Sequence, residues 1–268
     1  MIMRLAKIRL FTYMIGSIAA LLQNKNGIKL IGDSPYTTTI KGNLAFMESG
    51  IEVGGFTIKY GEGGSIDFTN PHYADLKLMG DAGITAIDSE VIIKNCIIKP
   101  NPDIFTTNFG KGIQMWNMYQ GADKTPTIEN NLILHADVGI SLFSQAFGGA
   151  ISGTIKNNTL VSNDVGILLR MHKENPIIQD NIITDSSDSG VHITYEDGAL
   201  LDTRIADILG NVFYGNTHKV WCDATQEELT PLPNQTTEQQ GNLYENPLLD
   251  SDYSPRNLAC ENKGCILQ

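Results

Sequence analysis

The sequence has little cysteine and none of it in metal-binding spacing. Its four cysteines, Cys96, Cys222, Cys260 and Cys265, form no Cys-x-x-Cys pair, which disfavours a structural zinc site; no metal ligands are assigned. Basic residues are scarce: 19 Lys and Arg against 30 Asp and Glu give a net charge of −11. Nucleic acid demands a basic surface and is not an expected partner. A polyanionic sugar would need local Arg, Lys or His, or a bound cation, to reverse the field. The apolar run Leu10 to Leu22 is shorter than the roughly 20 residues of a spanning helix, so no stable membrane insertion of the mature chain is expected. The chain carries no phosphate-binding loop, no dinucleotide fingerprint and no nucleophile elbow.

What is present is a repeat. One phrase runs DAGITAI (81–87), GKGIQMW (110–116), DVGISLF (137–143), DVGILLR (164–170) and DSGVHIT (188–194). A second, Asn-rich phrase runs IIKNCIIK (92–99), TIENNLIL (127–134), TIKNNTLV (154–161), IIQDNIIT (177–184) and DILGNVFY (207–214). Each has alternating apolar residues over a few positions, the signature of a short strand with one buried face. Polar residues in the middle of the second phrase split it into two strands joined by a tight bend, where Asn tolerates left-handed backbone. The unit is therefore three short strands, stacking in parallel at about 4.8 Å per rung. Its fifth position, Cys96, Asn131, Asn158, Asn181 and Asn211, would form a side-chain ladder; Cys96 is read as simply buried there. Counting phrases gives roughly seven or eight turns of an all-β solenoid.

Arg4, Lys7 and Arg9 precede the apolar run, and Ser17-Ile18-Ala19 follows within it. Residues 1–25 fit either a signal peptide or a helix capping the open end of the solenoid. The solenoid is assigned to 26–220. Residues 221–268 form a long polar loop, Asp223 to Gln240, and a closing segment with Cys260 and Cys265. Those two cysteines fit a small disulfide loop or two free thiols.

Connections after the Gly-Ile strands are mostly long (117–126, 144–153, 195–206), whereas those before them are mostly two or three residues. Variable loops beside a rigid sheet are where solenoids carry binding sites. On the Gly-Ile strands, Ile84/Ala86, Ile113/Met115, Ile140/Leu142, Ile167/Leu169 and Val191/Ile193 should point inward. The outward rows are then Thr85, Gln114, Ser141, Leu168, His192 and Ile87, Trp116, Phe143, Arg170, Thr194. Outward aromatics stack on sugar rings, and Arg with His can bind or deprotonate an acidic sugar. The bland alternative is that the loops fold over Trp116 and Phe143 and bury them. Gln114, Trp116, Phe143 and Glu196 are the candidate substrate-binding residues.

The repeat and its Asn column resemble the pectate-lyase-like superfamily of right-handed parallel β-helices, over about residues 27–220. Asn246-Pro-Leu-Leu-Asp-Ser-Asp-Tyr-Ser-Pro resembles the closing segment of extracellular bacterial members. In that superfamily, lyases abstract the proton α to a uronate carboxylate with a basic residue, while a second cation or Ca²⁺ neutralises the carboxylate. The resemblance implies Arg170 as neutraliser or base, His192 or His172 as base, and Tyr195 as acid, with Ca²⁺ a conceivable cofactor. The Asp clusters of the glycosidase branch and the calcium aspartates of pectate lyases are missing. The expectation is an extracellular, cell-surface or periplasmic β-helix that binds a polysaccharide, with uronate lyase or epimerase chemistry as its catalytic form. The alternative is a non-catalytic surface, adhesion or scaffold protein. The sequence does not speak to the oligomeric state.

Overall fold

A computed structural model describes residues 18–23, 26–61, 81–118, 122–144, 149–171, 176–195, 206–223, 227–229 and 240–267, without the side chains of 18–23, 171 and 195. The chain winds as a parallel β-helix. Its Gly-Ile strands, among them Ala82–Ile87, Lys111–Asn117, Val138–Ser144, Val165–Met171 and Ser189–Tyr195, stack in register on one side. The first halves of the Asn-rich phrases form a second, seven-stranded sheet, from Asn26–Ile31 to Asp207–Leu209. Their second halves form a third side, which includes Ile97–Pro100, Leu132–Leu134, Thr159–Val161, Ile182–Thr184 and Val212–Tyr214.

The corner between the second and third sides shows why the Asn-rich phrase recurs. One residue per rung adopts left-handed backbone there: Asn95, Asn130, Asn157 and Asp180 at φ 52 to 55°. This is the residue before the ladder position, not the ladder residue itself. Asn and Asp are the side chains that bear this conformation best. The next residue builds the ladder. Asn158 Oδ1 accepts from the backbone N–H and the Nδ2 of Asn131, each at 3.0 Å. Asn158 Nδ2 in turn donates to Ile128 O and to Asn181 Oδ1. The pattern repeats at Asn181 and Asn211. All four amides are fully buried, so each must be saturated, and each is. Cys96 ends the column: its N–H donates to Asn131 Oδ1, and burial pushes its thiol up to about 12. Asn242 extends the column in the other direction, accepting from Asn211 N–H at 2.8 Å.

The interior is aliphatic. The five inward pairs expected on the Gly-Ile strands are all buried, as are the stacks Ile93–Ile128–Ile155–Ile178–Ile208 and Ile98–Ile133–Leu160–Ile183–Phe213. The Gly of the Gly-Ile phrase is required by close approach: a Cβ on Gly166 would lie 2.5 Å from Gly190 O and 2.6 Å from Ile183 Cγ2.

Two segments lie at the ends of the solenoid. The described end of the apolar run, Ile18–Gln23, is a strand, not a helix, paired in parallel with Gly42 to Met47; residues 1–17, on which the signal-peptide reading rests, lie outside the described residues. A strand there extends the Gly-Ile sheet by one rung. The closing segment, residues 240–267, makes a short bridge from Leu243 to Val212 and then runs back across the outer face of the third side. Cys265 N–H donates to Thr159 Oγ1 at 2.9 Å, Ile266 N–H to Asn130 Oδ1 at 2.5 Å, and Lys263 contacts Asp180. This strap covers outward apolar residues: Ile97, Leu132 and Leu134 cluster with Cys265, and Ile182 and Val212 with Cys260. Both cysteines are buried free thiols, which resolves the two readings of that pair. Among the described residues, no helix is long and apolar enough to cross a membrane.

Candidate functional site

The outer face of the Gly-Ile sheet carries the two rows expected from strand alternation, in the expected register: Phe143 stands between Trp116 and Arg170, and Arg170 beside Thr194. The rows are unevenly covered. Thr85, Gln114 and Ser141 are buried, Gln114 to 4%. Gln114, a candidate binding residue, is thus almost wholly buried. Trp116 and Phe143 are half-buried and Arg170 is exposed. The two rings meet edge to face at 6.2 Å and 76°, and the Arg170 guanidinium sits 5.2 Å from the Phe143 centroid. Such a cation–π contact orients the guanidinium over the ring.

His192 lies one rung along and two residues back from Arg170, about 8 Å away by strand spacing and rise. It is held from both sides. Nε2 is 2.8 Å from Asp223 Oδ1, and Nδ1 is 3.5 Å from Asp188 Oδ2. Trp221 Nε1 donates to the same Asp223 oxygen at 3.1 Å. Burial acts most strongly on Asp223 and raises its pKa. The His192 hydrogen bond and charge, with bonds from Trp221 and Thr194, outweigh it and hold the carboxyl below its ordinary value. Asp223 is therefore a carboxylate, an acceptor only, and in a neutral imidazole the proton sits on Nε2. Nδ1 faces the Asp188 carboxylate, so each ring nitrogen has a carboxylate beside it.

The structure thus brings Trp116, Phe143, Arg170 and His192 onto one face. Tyr195 pairs with Met171 at the end of its strand, but its side chain lies outside the described residues, as do His172 and Glu196. Asp223, Asp188 and Trp221 were missed. The strand His218–Cys222 is a further Gly-Ile strand, with Trp221 in register with His192. It follows the last Asn-rich phrase after the usual short connection, which was the available signal. Lys219 takes the place of the glycine, and this hid the copy. Among the described residues, no group of three or more His, Cys, Asp or Glu is placed to hold a metal ion, so nothing described offers Ca²⁺ a ligand cluster.

Stacked parallel rungs, a saturated Asn ladder and an aliphatic interior define the class: a parallel β-solenoid with a decorated outer sheet. The family model described as "Right handed beta helix region" matches residues 22–226. The chain belongs to that family, and its helix is right-handed. No curated protein and no solved structure matches the chain.

Proposed function

We propose that the outer face of the Gly-Ile sheet binds an acidic polysaccharide outside the cytoplasm, with the polymer running along the solenoid axis. The observation that carries this is the unbroken row Trp116–Phe143–Arg170, flanked by the His192–Asp223 pair. The rung repeat of about 4.8 Å is close to the length of one sugar residue in an extended chain. Successive rings can thus meet the half-buried aromatics, while a carboxylate meets Arg170. Arg170 supplies the local positive charge that a chain of net charge −11 needs to hold a polyanion.

The same arrangement supports proton abstraction. With a uronate carboxylate on Arg170, the acidity of its α-proton rises, and His192 accepts that proton at Nδ1 once the substrate displaces the Asp188 carboxylate, 3.5 Å away. Return of a proton to the opposite face gives an epimer. Loss of the β-oxygen substituent, which itself takes up a proton, gives an unsaturated sugar. Incubation with polygalacturonate, alginate or a glycosaminoglycan should then raise ultraviolet absorbance, or exchange solvent deuterium into the sugar in the epimerase case. Absence of both with every polymer removes the catalytic reading. Binding is tested separately by retention on immobilised polymer, which Trp116→Ala should weaken without unfolding the protein.

A non-catalytic surface or scaffold role is the second reading. It is favoured by the burial of Thr85, Gln114 and Ser141 and by the contact of Arg170 with Phe143. Under it, neither Arg170→Ala nor Trp116→Ala alters any sugar interaction.

A further inference from the structure

The opposite side of the solenoid carries a cavity of about 690 Å³, within the roughly 300–1,000 Å³ of small-ligand sites. It lies where the second side turns into the third. Its cause is local sequence. Gly54 stands in register with Lys94, which is followed on the next rungs by Glu129 and Lys156. Where those rungs project a long side chain, this one projects nothing. Gly55, at φ 74°, holds the left-handed bend that Asn95 and Asn130 hold on the next rungs. The notch cannot be filled from its floor. A Cβ on Gly54 would lie 2.9 Å from Lys94 O, and one on Gly32 would lie 2.2 Å from Gly55 O.

The lining is amphipathic. Ile31, Pro35 and Ile266 of the strap form apolar walls. Around them stand Lys29, Lys94, Glu52 and Asp33, with Asn95 and Asn130. Glu52 bridges the two ammonium groups, one on each oxygen, at 2.5 Å from Lys29 and 2.8 Å from Lys94. Those bonds hold the Glu52 carboxyl below its ordinary value and raise Lys94. Two cations thus face two carboxylates, and the lining carries no net charge. In a chain of net charge −11, a balanced lining gives an anion no advantage. Each ammonium and carboxylate keeps donor or acceptor capacity beyond those bonds, beside an apolar wall, which suits the vicinal hydroxyls and the C–H face of a sugar ring.

We propose that this notch is a second binding site, for a small neutral hydroxyl-rich molecule of the free mono- or disaccharide class. It is independent of the Gly-Ile face and of any catalysis there. Because Ile266 forms one wall and its N–H is held by Asn130, an occupant also fastens the strap.

The experiment is calorimetry on the full chain with D-glucose, D-galactose and cellobiose, with D-glucuronate and inorganic phosphate as charged comparisons. Neutral sugars are expected to bind with Kd near ~1 mM, and added salt should leave that affinity unchanged. The chain has two tryptophans, Trp116 and Trp221, both on the Gly-Ile sheet. Binding in the notch should therefore leave tryptophan fluorescence unchanged, while slowing hydrogen exchange at the Ile266 and Cys265 amides. Lys29 and Ile266 are exposed, at 57% and 58%, so Lys29→Ala and Ile266→Trp should not threaten the fold. Each should weaken the neutral sugars at least about tenfold. No heat with any neutral sugar overturns the proposal. So does tighter, salt-sensitive binding of glucuronate or phosphate, or binding that both variants leave intact. A fluorescence change that accompanies the heat assigns it to the Gly-Ile face and likewise counts against the notch.

Discussion

His192 and Asp223 meet at 2.8 Å, Nε2 to Oδ1, across 31 residues of sequence, because Asp223 directly follows the strand His218–Cys222, which pairs with the strand of His192. The Asp223 carboxyl is held below its ordinary value by that contact together with Trp221 and Thr194. A depressed carboxyl stabilises the fold above its unfolded-state pKa, and that contribution is lost as pH falls through the folded value. Asp223→Asn removes the charge with little change of shape. The wild-type advantage in melting temperature over Asp223→Asn should be full at pH 5 to 6 and shrink as pH falls below about 4. A difference that is flat across this range means that the pair carries no charge coupling. If the face is catalytic, the same variant should lower kcat/KM by about tenfold or more and shift its pH profile, because the imidazolium formed on proton abstraction loses the carboxylate charge beside it.

The Asn ladder should be costly to break in the middle. Asn158→Ala leaves the Asn131 N–H and Ile128 O without these partners in a buried corner, and leaves Asn131 Nδ2 only its bond to Ile93 O. At about 1–3 kcal/mol for each orphaned group, the loss in a urea titration should reach about 2–4 kcal/mol, high for one substitution. Asn242→Ala at the end of the column, where the amide is only partly buried, should cost less. Equal costs would mean that the ladder is not cooperative along its length.

The ladder was legible because one Asn recurs at one position of four of the five phrases, and so was the inward alternation, which needs only a period of two. What escaped is instructive. Lys219 occupies the register position of Gly190, so the rung that carries Trp221 and Asp223 lost its marker and read as loop. Ile18–Gln23 lay inside an apolar run whose hydrophobicity fits a signal, a helix or a strand alike. The burial of Gln114, between Thr85 and Ser141, is a tertiary fact to which alternation is blind. The outward Leu132, Leu134 and Ile182 looked like ordinary strand residues. Their reason is the strap, which follows them by more than seventy residues.

The close stacking of the Gly-Ile strands predicts intolerance of a single methyl. Gly166→Ala places Cβ against Gly190 O and Ile183 Cγ2, both inside contact distance, and should cost about 1–3 kcal/mol by overpacking. Gly241 is the comparison. Its φ of 55° is left-handed, but nothing lies within 4 Å of an added Cβ. Gly241→Ala should therefore lose only about 1 kcal/mol of backbone strain. Thermal melts of the two variants separate crowding from conformation, and a Gly166→Ala protein as stable as wild type would show that the rungs can slide apart.

The strap hides apolar surface that a soluble sheet would not otherwise carry. Ile97, Leu132 and Leu134 lie under Cys265, and Ile182 and Val212 under Cys260. Truncation after Arg256 removes both cysteines together with the Lys263–Asp180 pair, while leaving the Asn242 end of the ladder in place. The uncovered residues form two apolar clusters along the solenoid, on either side of Thr159, and exposed apolar surface of that kind drives association. The truncated chain should bind a hydrophobic dye and elute as a dimer or larger species, with far-ultraviolet dichroism of the β-helix retained. Cys265→Asp, which places a charge in the same cluster, should act in the same direction with the chain intact, and Lys263→Ala more weakly. A truncated protein that stays monomeric and dye-silent would mean that the strap is an ornament on a face already tolerant of water.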